Sequence, residues 1–334
     1  VRRASIIITL LLLTPFIYID HDYELDDKEM LFNTSENYYG DIFNLNGTNL
    51  TTNLTNLISN HTIIDFPSLW EAMKYVYEDE VNTSNITLSY TLRSQSKNET
   101  CGNNNPCSSD TWTRHHLWPQ LGLSSLKSAG TDLHAIYPAD NTVHLLKGNK
   151  FFQNVSGNNI DECINCNFTM DYMEPPLKIK GDIARSLFYM DIRYNGNNFE
   201  PNLNLVDNPL NQSNSTIQFG SLCALYAWNF LDPVDHIEIF RNERVHDIQG
   251  NRNPFIDMPK IAYDIYGNNC NDFDADEDSW SNLEEQICNT DPLDNTSYPF
   301  ILGSEVQCYT MFEIDSIKFN DGEFNQASLF NNNL

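Results

Sequence analysis

Arg114-His115-His116-Leu117-Trp118-Pro119 is followed further along the chain by Asp132-Leu133-His134-Ala135-Ile136-Tyr137-Pro138-Ala139-Asp140-Asn141-Thr142-Val143-His144. Four of the eight histidines fall in these two runs, a density that packing alone seldom requires. Adjacent imidazoles beside a guanidinium supply three different tools within a few residues. One ring can ligate a metal, a neutral ring can accept a proton, and the guanidinium can hold an anionic oxygen. Hydrolysis of a phosphodiester needs that combination.

Working outward, 334 residues suffice for one large domain or two smaller ones with an ample core. The composition is that of a globular protein, 40% hydrophobic and 12% aromatic, with a formal net charge of -27. The acid is unevenly spread. Residues 110–260 carry 12 Lys and Arg against 17 Asp and Glu, while the remainder carries 7 against 29. The middle is therefore almost balanced and the flanks are strongly acidic. This excludes a broadly basic nucleic-acid-coating protein but leaves room for a local cationic groove in the middle.

The N-terminal Arg2-Arg3 and the apolar run Ile6–Leu13 suit the h-region of an export signal, or an uncleaved anchor. Eight cysteines fit an exported, disulfide-containing protein. Cys101/Cys107 and Cys270/Cys288 are expected as local bridges. Cys163-Ile164-Asn165-Cys166 reads as a bridge or as half of a zinc site, the bridge preferred because no second Cys-x-x-Cys accompanies it. Asn-x-Ser/Thr sequons, such as those at Asn85, Asn154 and Asn295, mark surface positions.

The spacing of Phe66, Leu69, Trp70, Met73, Val76 and Tyr77 predicts a helix, capped at Asp65 or Ser68. A strand is expected over 111–117 and a helix starting at Pro138. Further helices are expected over 181–193, with Ile183, Leu187 and Met190 as the buried stripe, over 222–230, and over 234–248 after a break at Asp232-Pro233.

Five pieces in order carry a family resemblance: 114–120, 132–139, Glu-Pro-Pro-Leu-Lys-Ile-Lys-Gly-Asp-Ile-Ala-Arg (174–185), 232–238, and 241–257. Over about 66–261 the chain resembles the bacterial endonuclease I family of secreted nucleases. The resemblance implies an α+β fold, a ββα-metal (His-Me finger) endonuclease core with additional helices; a small C-terminal calcium-binding loop region is expected after it on separate grounds. The division expected is 1–19 signal peptide or anchor, 20–60 flexible acidic Asn-rich linker, 61–265 nuclease domain, 266–299 calcium repeat and 300–334 tail. The implied activity is metal-dependent, low-specificity hydrolysis of DNA, with RNA as a second candidate substrate, to 5′-phosphate products, outside the cytoplasm. No feature implies a stable protein partner.

Carried over residue by residue, His116 takes the general-base position and Arg114 orients the phosphate. Lys147, Arg185 and Arg252 are further candidate phosphate contacts, with Lys150 beside them. The metal-ligand positions depart from the family pattern: His115 stands where Glu is usual, and His144 where Asn is usual. The new pattern resembles HNH-type colicin nucleases, in which the first His of the pair and a helix His bind metal. Replacing oxygen by imidazole ligands shifts the expected ion from Mg²⁺ towards transition metals. His134 reads as a core histidine and Asp132 as a cap or an orienting group. Glu238 and Arg241 read as a helical i,i+3 pair.

Downstream, Asp274, Asp276, Asp278, Asn282 and Glu285 fall at positions 1, 3, 5, 9 and 12 of a calcium loop, with Trp280 giving its carbonyl at position 7. Ser279 occupies position 6, where glycine is usual. With Cys288–Asp294 this segment resembles a thrombospondin type 3-like calcium repeat. The competing reading of the whole is a catalytically inactive extracellular calcium-binding or adhesion module on a decayed nuclease core.

Overall fold

Apolar spacing decides most of the helices, and buried polar pairs decide how they pack. In the computed structural model the described residues are 37–40, 42, 45, 47–102, 105–119, 128–209, 217–270 and scattered positions between 274 and 299. The signal or anchor segment and the 300–334 tail lie outside them. The chain divides into two compact units, Val1–Phe43 and Asn44–Leu334. In the first, the described residues form a helical turn in which Tyr38 and Tyr39 meet edge to face. Among the described residues, no helix is long and apolar enough to cross a membrane.

The second unit begins with helix α1, Gly47–Ile58, inside the stretch expected as a flexible linker. That expectation is corrected. Leu50, Leu54 and Ile58 recur every four residues and are buried, and Thr55 Oγ1 donates to the Ile192 carbonyl at 3.0 Å. The Asn and Thr content lowers helix propensity, but burial of a continuous apolar stripe outweighs it.

Helix α2, Leu69–Val76, forms as its spacing predicts. Asp65 rather than Ser68 closes its entry, because the carboxylate accepts from both the Ser68 amide and its hydroxyl. Leu69, Trp70, Met73 and Val76 pack with Trp112, Leu133, Ile136 and Val245 in one apolar cluster. Strands β1, Asn85–Thr87, and β2, Ser94–Ser96, then pair antiparallel.

Next come β3, Trp112–His116, and β4, Ile136–Asp140, antiparallel, with Arg114 opposite Pro138 and His116 opposite Ile136. Helix α3, Asn141–Lys147, follows without a loop. The helix expected from Pro138 therefore starts three positions later. Pro138 lies in the strand, and Asp140 is the cap, its Oδ1 accepting from Thr142 N (2.8 Å) and Val143 N (3.3 Å). A carboxylate satisfies the orphan first-turn amides, which a proline cannot.

A four-stranded sheet has the order β5 (Phe151–Phe152), β8 (Tyr172–Glu174), β7 (Cys163–Phe168), β6 (Asn158–Ile160), with β5 and β8 parallel. Helix α4, Lys180–Arg193, is the hub. It packs against α1, against β9 (Leu203–Leu205), and against α5 (Leu222–Leu231) and α7 (Pro254–Asp257). Strand β10, Ile217–Phe219, pairs parallel with β9, while α6 (His236–Gln249) and α8 (Ile261–Tyr266) complete the set. The stripe Ile183, Leu187 and Met190 is buried, as are most other residues of α4. The architecture is mixed helix and strand, α+β.

Disulfides join Cys101–Cys107 and Cys163–Cys166, so the Cys-x-x-Cys is a bridge and not a zinc half-site. Cys270 pairs with Cys223, not with Cys288 as expected, and Cys288 is bonded elsewhere. A disulfide needs Cα atoms roughly 4.4–6.8 Å apart. The fold brings Cys223 and Cys270 to 5.4 Å across 47 residues.

Two cations expected at phosphate belong instead to the core. Arg185 is fully buried and donates to both Glu238 carboxylate oxygens and to the carbonyls of Asn229 and Asp232. Gly181 makes room for it: a Cβ there would stand 1.9 Å from the Asp232 carbonyl oxygen. Arg252, 1% exposed, holds Asp257 through two bonds of 2.8 Å and Glu243 at 2.7 Å. Neither guanidinium faces solvent where a phosphate would lie. Glu238 accordingly pairs first with Arg185, and its i,i+3 contact with Arg241 is looser at 3.9 Å. Replacing Arg185 by Met is expected to cost about 3–5 kcal/mol of stability, because Glu238 is left buried without its cation. Urea unfolding checks this, and a change below about 1 kcal/mol would be the value of an exposed pair instead.

Candidate active site

The site grows out of one strand-to-helix turn. Antiparallel pairing of β3 with β4 fixes the heights of Arg114, His115 and His116. Because α3 starts at the very end of β4, His144 lies one turn into a helix that packs on both strands. The ring of His144 meets that of His115 edge to face at 5.2 Å, with the two Nδ1 atoms 2.9 Å apart. Arg114, His115, His116 and His144 all border one cleft of ≈ 360 Å³, together with Phe66, Trp70, Gly148 and Asn149.

His116 Nε2 lies 2.9 Å from the carbonyl of Gly130. A carbonyl only accepts, so Nε2 carries the proton and Nδ1 carries the lone pair. Burial, helped by the Arg114 charge and opposed by the Gly130 carbonyl, brings the pKa of His116 down to about 4. Burial also lowers His115 and His144, helped by the charge of Lys147. All three rings are therefore neutral at pH 7, the state in which imidazole accepts protons or binds metals.

His115 Nε2 is buried without a hydrogen-bond partner, so the ring's polar contact is its Nδ1 facing His144. At metal–nitrogen distances of about 2.0–2.1 Å, a 2.9 Å separation suits two ligands of one ion. Among the described residues no group of three or more His, Cys, Asp or Glu assembles. The described residues thus offer two imidazoles to one ion, one protein ligand fewer than the three usual in catalytic zinc sites.

Arg114 is half-buried. Its guanidinium lies 3.9 Å from the Phe66 ring centroid and 4.2 Å from that of Trp70, and Nη1 donates to the Phe66 carbonyl at 2.6 Å. Desolvation lowers its pKa to about 10, so it stays charged at pH 7. Lys147 was expected at the phosphate but does not line the cleft. It is fully buried, its Nζ donating to the Lys150 carbonyl at 2.5 Å and lying 4.4 Å from the Phe152 ring. Lys150 turns outward and donates to the Met170 carbonyl.

His134 is a core histidine, packed 4.4 Å from the Tyr189 ring. Asp132 is a buried cap and hub: it accepts from the His134 amide, from the Tyr189 and Tyr194 hydroxyls and from Gln249. In the downstream acidic segment, Asp274 accepts from the Asp278 and Ser279 amides, and Asp278 from that of Trp280. Asp276 and Asn282 lie outside the described residues.

Four contributors were not read from the sequence. Phe66 and Trp70 look like ordinary helix apolars. The Gly130 carbonyl is backbone and carries no side-chain signal. Asp140 had a signal, an aspartate directly before the helix, which Pro138 obscured.

Comparison with known proteins bears on the same region. Residues 46–260 match the model of the family described as Endonuclease I. An extracellular ribonuclease of Bacillus amyloliquefaciens is 37% identical over 235 residues, covering 70% of this chain and 78% of its own. The extracellular ribonuclease of Bacillus subtilis (strain 168) is 37% identical over 235 residues, covering 70% and 79%. An extracellular deoxyribonuclease of Aeromonas hydrophila is 28% identical over 131 residues, covering 38% and 49%.

Lys147 gives a pH test of the fold around the site. Its ordinary value is 10.5 and burial brings it to about 7 in the folded chain. Between these values the unfolded state binds more protons. The stability associated with the neutral folded amine is therefore full above 10.5 and is lost as pH falls towards 7. Wild type should gain stability over Lys147→Met between pH 7 and 10, on the order of a few kcal/mol. Urea curves that stay parallel across that range would contradict the burial of an ionisable amine.

Proposed function

The chain belongs to the endonuclease I family and is an endonuclease, and on that premise we propose that it is an exported, metal-dependent nuclease that cuts DNA and RNA with little sequence preference. The observation that carries the reading is the meeting of Arg114, His115, His116 and His144 in one cleft. The antiparallel β3–β4 pair and α3 are the ββα-metal core of this reading. His115 and His144 hold a divalent ion, which when bound supplies Lewis-acid charge for the scissile phosphate. Export is supported by the disulfides, by the N-terminal arginines and apolar run, and by relatives named extracellular.

The residues divide the reaction as follows. His116 Nδ1 accepts a proton from the attacking water, while the Gly130 carbonyl holds the ring by its Nε2 proton. The water oxygen bonds to phosphorus and the P–O3′ bond breaks; a solvent proton goes to the departing O3′, leaving a 5′-phosphate and a 3′-hydroxyl. The anionic phosphate beside His116 raises the depressed pKa of that ring towards the working range. Arg114 adds fixed positive charge to the cleft wall and orients the strand.

The downstream loop is proposed to bind Ca²⁺ through Asp274, Asp276, Asp278, Asn282, Glu285 and the Trp280 carbonyl. Its spacing supports this, as does Ser279 at φ 82°, the left-handed turn that position 6 requires. The role is structural: calcium would stiffen the chain after the nuclease domain.

Nicking of supercoiled plasmid tests the catalytic assignment. His116→Ala should cut about 10²–10⁴-fold more slowly than wild type while keeping its urea midpoint. An undiminished rate would remove His116 from the base position. Chelation tests the metal separately. EDTA should abolish nicking, Mn²⁺, Zn²⁺ or Co²⁺ should restore it, and Co²⁺ absorption bands should vanish in His144→Ala. Nicking that persists in EDTA, or bands unaltered by the substitution, would overturn the ligand assignment.

A further inference from the structure

At the mouth of the cleft three flat groups are layered. Trp70, 5% exposed, is anchored in the apolar cluster and meets Trp112 edge-on at 5.3 Å. Arg114 lies on Trp70, and Phe66 lies on Arg114. The short bond from Arg114 Nη1 to the Phe66 carbonyl fixes the outermost layer to the layer beneath it. Phe66 itself remains 46% exposed and borders the same cleft as His115, His116 and His144. A large apolar ring at a cleft mouth gains more from burial than from water, and its fixed position means that little conformational freedom remains to be lost on binding.

We propose that Phe66 is a stacking platform for a nucleobase flanking the scissile phosphate, so that the enzyme favours unpaired strands. This rests on the nuclease reading above and deepens it. The chemistry of the layers fits the partner: every base has a π-face, and an aromatic ring backed by a guanidinium accepts one more flat layer. Arg114 and the histidines take the phosphate, and the ring beside them takes the base. In a duplex the bases are already stacked on their neighbours and cannot reach the platform without unpairing. Stacking is tolerant of base identity, which agrees with low sequence preference.

The test pairs one substitution with one change of substrate. The substrates are a fluorescein-labelled 12-nucleotide thymidine strand and an abasic strand of the same length. Anisotropy in EDTA reads affinity without cutting, and KM and kcat are read with Mn²⁺. Wild type should prefer the base-bearing strand, and Phe66→Ala should lose roughly 5- to 150-fold in Kd and KM on that strand with kcat little changed. On the abasic strand the variant should match wild type, and Phe66→Trp should restore the preference. Equal losses on both strands would assign Phe66 a role through Arg114 alone and overturn the platform. No loss on the base-bearing strand would overturn it too. If wild type with an intact urea transition cuts neither strand with any divalent ion, the nuclease reading itself fails and the platform with it.

Discussion

The carboxylate of Asp140 is the contact on which the site depends. It ends β4, caps α3 through the amides of Thr142 and Val143, and is held by Arg93 at 2.7 Å. One residue thereby changes the chain from extended to helical without a loop. A loop there would let α3 swing, and the ring of His144 would no longer meet that of His115. Asp140 is fully buried, so an unmade cap would leave polar groups without water to replace it.

Around this turn the protein uses two kinds of cohesion. Apolar residues of α2, β3, β4 and α6 pack against one another, with Trp112 fully buried among them. A second, polar scaffold surrounds α4: Arg185 on Glu238 and Asp132 under Tyr189 and Tyr194, with Arg252 on Asp257 between α6 and α7. Buried ionic groups of this kind add little net stability relative to apolar replacements, yet are costly to break singly. They fix which helix lies where, and so hold the cleft in shape from behind.

The same physics separates the cation that lines the cleft from those held in the core. Arg114, Lys147, Arg185 and Arg252 look alike in a motif. Arg114 alone of these borders the cleft, stacked between Phe66 and Trp70. Lys147 acts at a distance, its charge helping to keep His115 and His144 neutral. Each role follows from burial and partners, which motif spacing does not encode.

The sequence by itself determined the local elements and the chemical inventory. Apolar periodicity gave α2, α4, α5 and α6, and residue types gave an imidazole cluster beside an arginine, because these depend on neighbours a few positions apart. Its failures came where a distant partner overrode a local signal. Asn and Thr in 47–58 hid a stripe that pays off only when α1 docks on α4, and Pro138 hid a cap. Cys270 found Cys223 rather than its nearer neighbour, since bridging depends on distance in space. Tertiary structure alone decided that His115 faces His144, that the Gly130 carbonyl sets the tautomer of His116, and that Phe66 is left exposed over Arg114. Those are contacts between segments separated along the chain, and only packing brings them within reach.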